Sequence, residues 1–356
     1  LKNGAELAEP GEFTKRAFLN GRIDLLQAES VIDIINAKSD KELKTGVKQL
    51  EGFLSNEIAK IRQEILDVMV DIEVAIDYPE YDVDEVTNKQ ISDMLDSVEK
   101  KLKKLENSFD NGKIIKEGIK TAIVGKPNAG KSSLLNAILK EDRAIVTEIE
   151  GTTRDTIEEF VTINGIPLKL VDTAGIRKAK DEVEKIGISK SREIAKEADL
   201  IIAIFDSSKD LTDEDMEILN LIKGKKVIIL LNKIDLNSKI DENDSRLLAV
   251  SQDIIKVSAL NNLGIDKLYE KITNLFNLDQ INLDNEVLIT NLRQKNLITK
   301  AIEHIQETKN TMSNNMPLDI VAISIKEILE DLGSITGDEV SEDIIDEIFS
   351  KFCLGK

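Results

Sequence analysis

Gly125-Lys126-Pro127-Asn128-Ala129-Gly130-Lys131-Ser132, followed by Ser133, decides the reading of this chain. It comes straight after the apolar run Ile119–Val124, a strand pattern, and opens the helical pattern Ser132–Leu139. Strand, glycine-rich loop and helix in that order form a phosphate cradle. Glycine lets backbone N–H groups turn inward on an anion, and the helix N-terminus adds partial positive charge. Lys131 is placed to reach the outer phosphates and the Ser132 hydroxyl to ligate Mg²⁺.

Working outward, Glu158–Ile163 and Ile166–Val171 flank Asn164-Gly165, a two-residue hairpin signal. Leu200–Phe205, Val227–Leu231 and Ile254–Val257 read as further strands, with helices expected at 187–197, 213–222 and 264–275. Alternating strands and helices predict a mostly parallel sheet covered on both faces, an α/β P-loop domain of the Ras-like kind. Three further motifs close the loops after these strands. In Asn232-Lys233-Ile234-Asp235 the carboxylate of Asp235 matches the two donors on the N1 and N2 edge of guanine. Adenine lacks the 2-amino group and would leave that carboxylate unpaired. Ser258-Ala259-Leu260 offers backbone N–H to guanine O6. Asp172-Thr173-Ala174-Gly175 would hold Mg²⁺ through water and sense the γ-phosphate. Gly151-Thr152-Thr153-Arg154-Asp155 would be the switch loop that completes the Mg²⁺ shell. Together the motifs imply GTP as substrate. Where Ras-like proteins place a glutamine to orient water, the residue here is Ile176, so hydrolysis needs another group. Asp181, Glu182 and Glu184 supply carboxylates in that region.

The flanks are helical in texture. Residues 24–76 read as one long helical pattern broken at Tyr78-Pro79, and Asn88–Phe109 as a second, ended by Asn111-Gly112. After about residue 277, helices are expected at 288–305, 320–332 and 343–351. Thin on their own, the two flanks make better sense as one helical domain that hosts the α/β domain as an insertion. The expected divisions are 1–20, 21–115, 116–278 and 279–356. The chain begins with Leu1 rather than Met, which reads as the loss of a true N-terminus.

The 356 residues carry a net charge of −19, which speaks against gripping nucleic acid by bulk electrostatics. The single cysteine, Cys353, excludes an internal disulfide and fits a cytoplasmic, reducing compartment. No apolar run reaches the roughly 18 residues of a membrane span. The single histidine, His304, reads as a helix-surface residue, and Lys101–Lys104 as a solvated helix face.

Pro10–Glu29 (P-G-E-F-T-K-R-A-F-L-N-G-R-I-D-L-L-Q-A-E), Gly125–Asn136, Glu148–Asp155, Asp172–Arg177 and the terminal Phe352-Cys353-Leu354-Gly355-Lys356 together resemble the MnmE (TrmE) family of tRNA-modification GTPases. The resemblance covers essentially the whole chain. It lacks most of the family's N-terminal folate-binding domain, of which residues 1–20 would be a remnant. It implies modification of carbon 5 of the wobble uridine of certain tRNAs, of the carboxymethylaminomethyl type. The implied partners are tRNA, a flavin-dependent protein of the GidA/MnmG type and a second copy of the chain, and the implied one-carbon source is a tetrahydrofolate derivative. By position it assigns K⁺ to Asn128, Thr147, Ile149 and Thr152, and Mg²⁺ to Ser132 and Thr153. The nucleotide contacts run through 128–133, through Thr147, Glu148, Ile149, Glu150, Gly151, Thr152 and Thr153, and through 172–175. It further implies Glu184 as catalytic carboxylate, Cys353 in the uridine chemistry, and Arg22 and Lys356 at the folate. A ribosome-assembly GTPase, acting as an RNA-binding switch, is the competing reading; an RNA-binding module beside the P-loop domain would favour it, and none is visible.

Overall fold

The structure is a computed structural model that describes residues 6–78, 84–140, 159–163, 165–171, 197–278 and 286–355. The chain divides into two compact units, one of residues 1–116 with 283–356 and one of residues 117–282.

The first unit is all helical. Its helices before the inserted unit are α1 (Glu12–Leu19), α2 (Leu25–Asn36), α3 (Asp40–Leu50), α4 (Phe53–Asp77), α5 (Asp84–Asn107) and α6 (Phe109–Glu117). The pattern expected as one helix over 24–76 is therefore three. Asp24 caps α2 in a reciprocal pair with Gln27, and Ser39 caps α3 by accepting from the Glu42 N–H. Gly52, at φ +84°, turns the chain between α3 and α4. Helices α2 and α4 share a core through Leu26, Leu54 and Ile58, whereas α3 buries Glu42, Thr45, Gly46 and Gln49.

Asn111-Gly112 does not end a helix either. It lies inside α6, where a Cβ on Gly112 would sit 2.0 Å from the Ile289 carbonyl oxygen. The glycine serves a close backbone approach there rather than a turn. Helix α1 was also not expected. Its Phe18 ring meets Phe349 at 6.3 Å between centroids, and Pro10 bridges Leu354.

The second unit holds six strands in the order β2-β3-β1-β4-β5-β6. They are β1 (Ile119–Val124), β2 (Glu159–Ile163), β3 (Ile166–Val171), β4 (Leu200–Asp206), β5 (Val227–Asn232) and β6 (Ile254–Lys256). Only β2 runs antiparallel, to β3; the β1–β3, β1–β4, β4–β5 and β5–β6 pairs are parallel. Described helices of this unit are α7 (Lys131–Lys140), α8 (Asp213–Ile222), α9 (Ser245–Leu248) and α10 (Ile265–Leu275). Strands β4 and β5 are wholly buried, as expected for parallel strands covered on both faces. Of the helix expected at 187–197, all but Glu197 lies outside the described residues.

After the insertion the first unit resumes with α11 (Leu292–Ser313), α12 (Leu318–Thr336) and α13 (Glu342–Ser350). Its main core joins α4, α5, α11 and α12 through aliphatic side chains such as Ile61, Leu95, Ile302 and Ile328, all well buried. Among the described residues no helix is long and apolar enough to cross a membrane.

Candidate functional site

The site lies at the carboxyl ends of β1, β4, β5 and β6, the edge of a parallel sheet at which ligands bind in open α/β folds. Strand β1 delivers the chain at Gly125, where a Cβ would meet the Ile204 carbonyl oxygen at 2.5 Å. The loop then turns through two positive-φ residues, Asn128 at +59° and Gly130 at +110°. Such angles are cheap only for glycine and, less so, asparagine, which is why these residue types stand here. The turn leads into α7, whose Leu134 N–H is already bonded to the Gly130 carbonyl.

Lys131 folds over this loop. Its Nζ donates to the carbonyls of Gly125 at 2.6 Å and Lys126 at 2.9 Å. Burial pushes the ammonium below its usual value, and a bound phosphate would draw it back up.

Asn232, at the end of β5, ties two parts of the site together. Its side-chain Nδ2 donates to the Ala129 carbonyl at 2.9 Å, and its Oδ1 accepts from the Ala259 N–H at 3.0 Å. One buried amide thus holds the phosphate loop and the Ser258–Leu260 loop in register. The space for it exists because residue 130 has no side chain: a Cβ there would sit 2.0 Å from Nδ2. The Ser258 hydroxyl donates to Asp235 Oδ1 at 2.5 Å, which orients an otherwise exposed carboxylate. Leu260 is 80% exposed beside the buried Ala259. Lys233, at φ +66°, pairs with Asp206 at 2.7 Å. Burial raises the Asp206 carboxyl, but Lys233 and the Ser208 hydroxyl and N–H outweigh it and hold it below its ordinary value.

Two elements of this site escaped the sequence reading. One is Asp206, the anchor of Lys233. The other is a clamp on the second residue of the phosphate loop: Lys126 Nζ lies 2.5 Å from the buried Asp215 carboxylate. Asp215 also accepts from the Thr212 N–H and hydroxyl at the start of α8. Thr212-x-x-Asp215 ahead of an apolar helix was a readable capping signal; its partnership with Lys126 was not.

Asn128, Ala129, Gly130, Lys131, Ser132, Ser133, Asn232, Lys233, Asp235, Ser258, Ala259 and Leu260 all lie in this region of the second unit. Thr147, Glu148, Ile149, Glu150, Gly151, Thr152, Thr153, Asp172, Thr173, Ala174, Gly175, Glu184 and Lys356 lie outside the described residues. Arg22 is exposed in the turn between α1 and α2. Cys353 is exposed, and its carbonyl accepts from the Gly11 N–H at 3.2 Å. His304 is not the plain surface residue expected, since its ring faces a buried carboxylate on the next helix.

Strand order, phosphate loop and the Asn232–Asp235 corner define the class: a P-loop GTPase. The narrower identity comes from comparison. The model of the MnmE helical domain matches residues 25–353. The tRNA modification GTPase MnmE of Clostridioides difficile is 49% identical over 356 residues, spanning 100% of this chain and 78% of that protein. Its namesake in Acetivibrio thermocellus is 48% identical, with the same coverage. That of Ligilactobacillus salivarius is 48% identical over 100% of this chain and 77% of its own length. The chain belongs to the MnmE family.

Proposed function

We propose that this chain binds and hydrolyses GTP at the β1–α7 site and couples that cycle to modification of carbon 5 of the wobble uridine in certain tRNAs. It works in the cytoplasm with a flavin-dependent partner of the GidA/MnmG type and a tetrahydrofolate-derived one-carbon unit. The observation that carries the nucleotide reading is the Asn232 tie, which joins the phosphate loop at Ala129 to the loop at Ala259, next to the Ser258 that bonds Asp235. The tRNA reading rests on the relatives, all three named tRNA modification GTPases; they leave ribosome assembly without support.

The described ligand candidates suit hard cations. Ser132 brings a hydroxyl to the start of α7 and Asn128 a side-chain amide to the exposed turn of the loop, both uncharged oxygen donors. Thr153 would join Ser132 on Mg²⁺, and Thr147, Ile149 and Thr152 would join Asn128 on K⁺. These ions, when bound, supply positive charge against the phosphates. The chain's own groups do the rest. Lys131 releases the loop carbonyls and neutralises phosphate charge. The backbone N–H groups of 128–133 orient the phosphates. Asp235, held by Ser258, reads the base. Glu184 orients the attacking water, a task Ile176 lacks the chemistry for. Pairing of two copies through this domain would activate hydrolysis together with K⁺. Arg22 and Lys356 would hold the folate, and Cys353 would act on the uridine.

The test is nucleoside mass spectrometry of tRNA from a bacterial host whose own MnmE gene is deleted. This gene should restore the modified wobble uridine, and its Lys131→Ala variant should not. Restoration by both would separate the modification from the nucleotide site and refute the coupling.

A further inference from the structure

Helices α11 and α12 pack through Ile298, Ile302 and Ile305 against Ile325, Ile328 and Leu332. Beside this seam lies a polar cluster that GTP hydrolysis does not explain. His304 on α11 places Nδ1 2.8 Å from Asp331 Oδ2 on α12, and the Asp331 side chain is only 5% exposed. Neither atom has a hydrogen-bond partner among the described residues, so the two are near each other without a formed hydrogen bond. The other Asp331 oxygen accepts from Lys300 Nζ at 2.9 Å. Glu307, three residues after His304, and Glu327, four before Asp331, are both exposed. One ring nitrogen of His304 and one carboxylate oxygen of each glutamate lie within 4.8 Å of one another.

Residues three and four apart share a helix face, so the spacing on both helices aims these groups at one point. Two carboxylates held this close repel each other, a cost that a cation removes. A buried carboxylate 2.8 Å from one ring nitrogen sets negative charge behind the imidazole and leaves the second ring nitrogen as the ligand atom.

We propose that His304, Glu307 and Glu327 form a divalent transition-metal site that fastens α11 to α12, with Asp331 as the residue that orients the histidine. One imidazole nitrogen with two carboxylates suits zinc-class ions, with the remaining positions filled by water. Imidazole selects against Mg²⁺ and Ca²⁺, which prefer all-oxygen shells. Lys300, already on Asp331 and within the field of Glu327, is the competing cation. The site lies wholly within the helical unit, so it stands or falls independently of the nucleotide reading.

His304 is the only histidine in the chain, so its two ring C–H resonances report the site without assignment work. Metal-free protein would be titrated with Zn²⁺ in excess Mg²⁺, with NMR of the ring signals, and in parallel with Co²⁺ by visible absorption. An equimolar amount of Zn²⁺ should shift both signals to saturation, and Co²⁺ should give ligand-field bands. Glu307→Gln combined with Glu327→Gln, exposed and safe for folding, should abolish both responses at equimolar metal. Asp331→Asn should weaken binding about 10–100-fold. Ring signals that stay unmoved in a large excess of Zn²⁺ would mean an acidic surface cluster that holds no ion. A double variant that responds like the wild type would equally overturn the site.

Discussion

Replacing Asn232 with alanine removes one side chain that serves two loops. The wild-type amide is 3% exposed and bonds the Ala129 carbonyl and the Ala259 N–H. Those backbone groups belong to residues only 1% and 4% exposed. Asn232→Ala therefore strands one buried acceptor and one buried donor. Each orphaned group costs about 1–3 kcal/mol, which gives about 2–6 kcal/mol against the tied arrangement. If GTP binds that arrangement, even about 2 kcal/mol is roughly 30-fold in affinity. Because the chain has two compact units, a global melt is a poor readout. Hydrogen exchange by mass spectrometry separates the parts. Peptides covering 125–135 and 256–263 should lose protection together, while α11 and α12 keep theirs, and a fluorescent GTP analogue should bind at least 30-fold more weakly. Gly130→Ala should give the same signature from the other side, since its Cβ displaces the amide and its φ of +110° is strained for alanine. Loss of protection in only one of the two loops, or an affinity within a few-fold of wild type, would refute the tie.

Three further outcomes are expected. Burial pushes the Glu42 carboxyl up to about 7 from an ordinary 4.5, against the Lys38 N–H that bonds it. A raised folded-state value means the protonated form is favoured, so its contribution is complete below about pH 4.5 and lost as pH rises to about 7. Stability of wild type relative to Glu42→Gln, followed by hydrogen exchange of peptides from α3 and α4 in urea, should fall across that window; a flat difference contradicts it. GTP turnover should rise in K⁺ and stay low in Na⁺ at matched ionic strength, with equal rates refuting a K⁺ site at Asn128. Glu184→Ala should lower kcat sharply and leave GTP affinity nearly unchanged; single-turnover hydrolysis within a few-fold of wild type would shift the role to Asp181 or Glu182.

The nucleotide half of this protein was legible because its chemistry constrains residue type at short range. Positive φ at residues 128 and 130 demands asparagine and glycine, and strand, loop and helix follow within a few residues. Where a side chain answers to a distant partner, the reading failed. Gly112 looked like a turn residue until Ile289 was found against it, 177 positions along. His304 looked like surface until Asp331 was seen on the neighbouring helix. The Lys126–Asp215 pair joins loop to helix across the sheet, with no local pattern to announce it. Likewise the single helical pattern over 24–76 hid two breaks, at Ser39 and Gly52, because helix-forming residues stand on both sides of each.

Guanine selection by Asp235 can be read from the affinity of Asp235→Asn for GTP and for xanthosine triphosphate, measured side by side with wild type. An amide at this position suits the 2-oxo group of xanthine and mismatches the 2-amino group of guanine. GTP binding should collapse while xanthosine triphosphate binding rises above it. A variant that keeps wild-type affinity for GTP would contradict that selection.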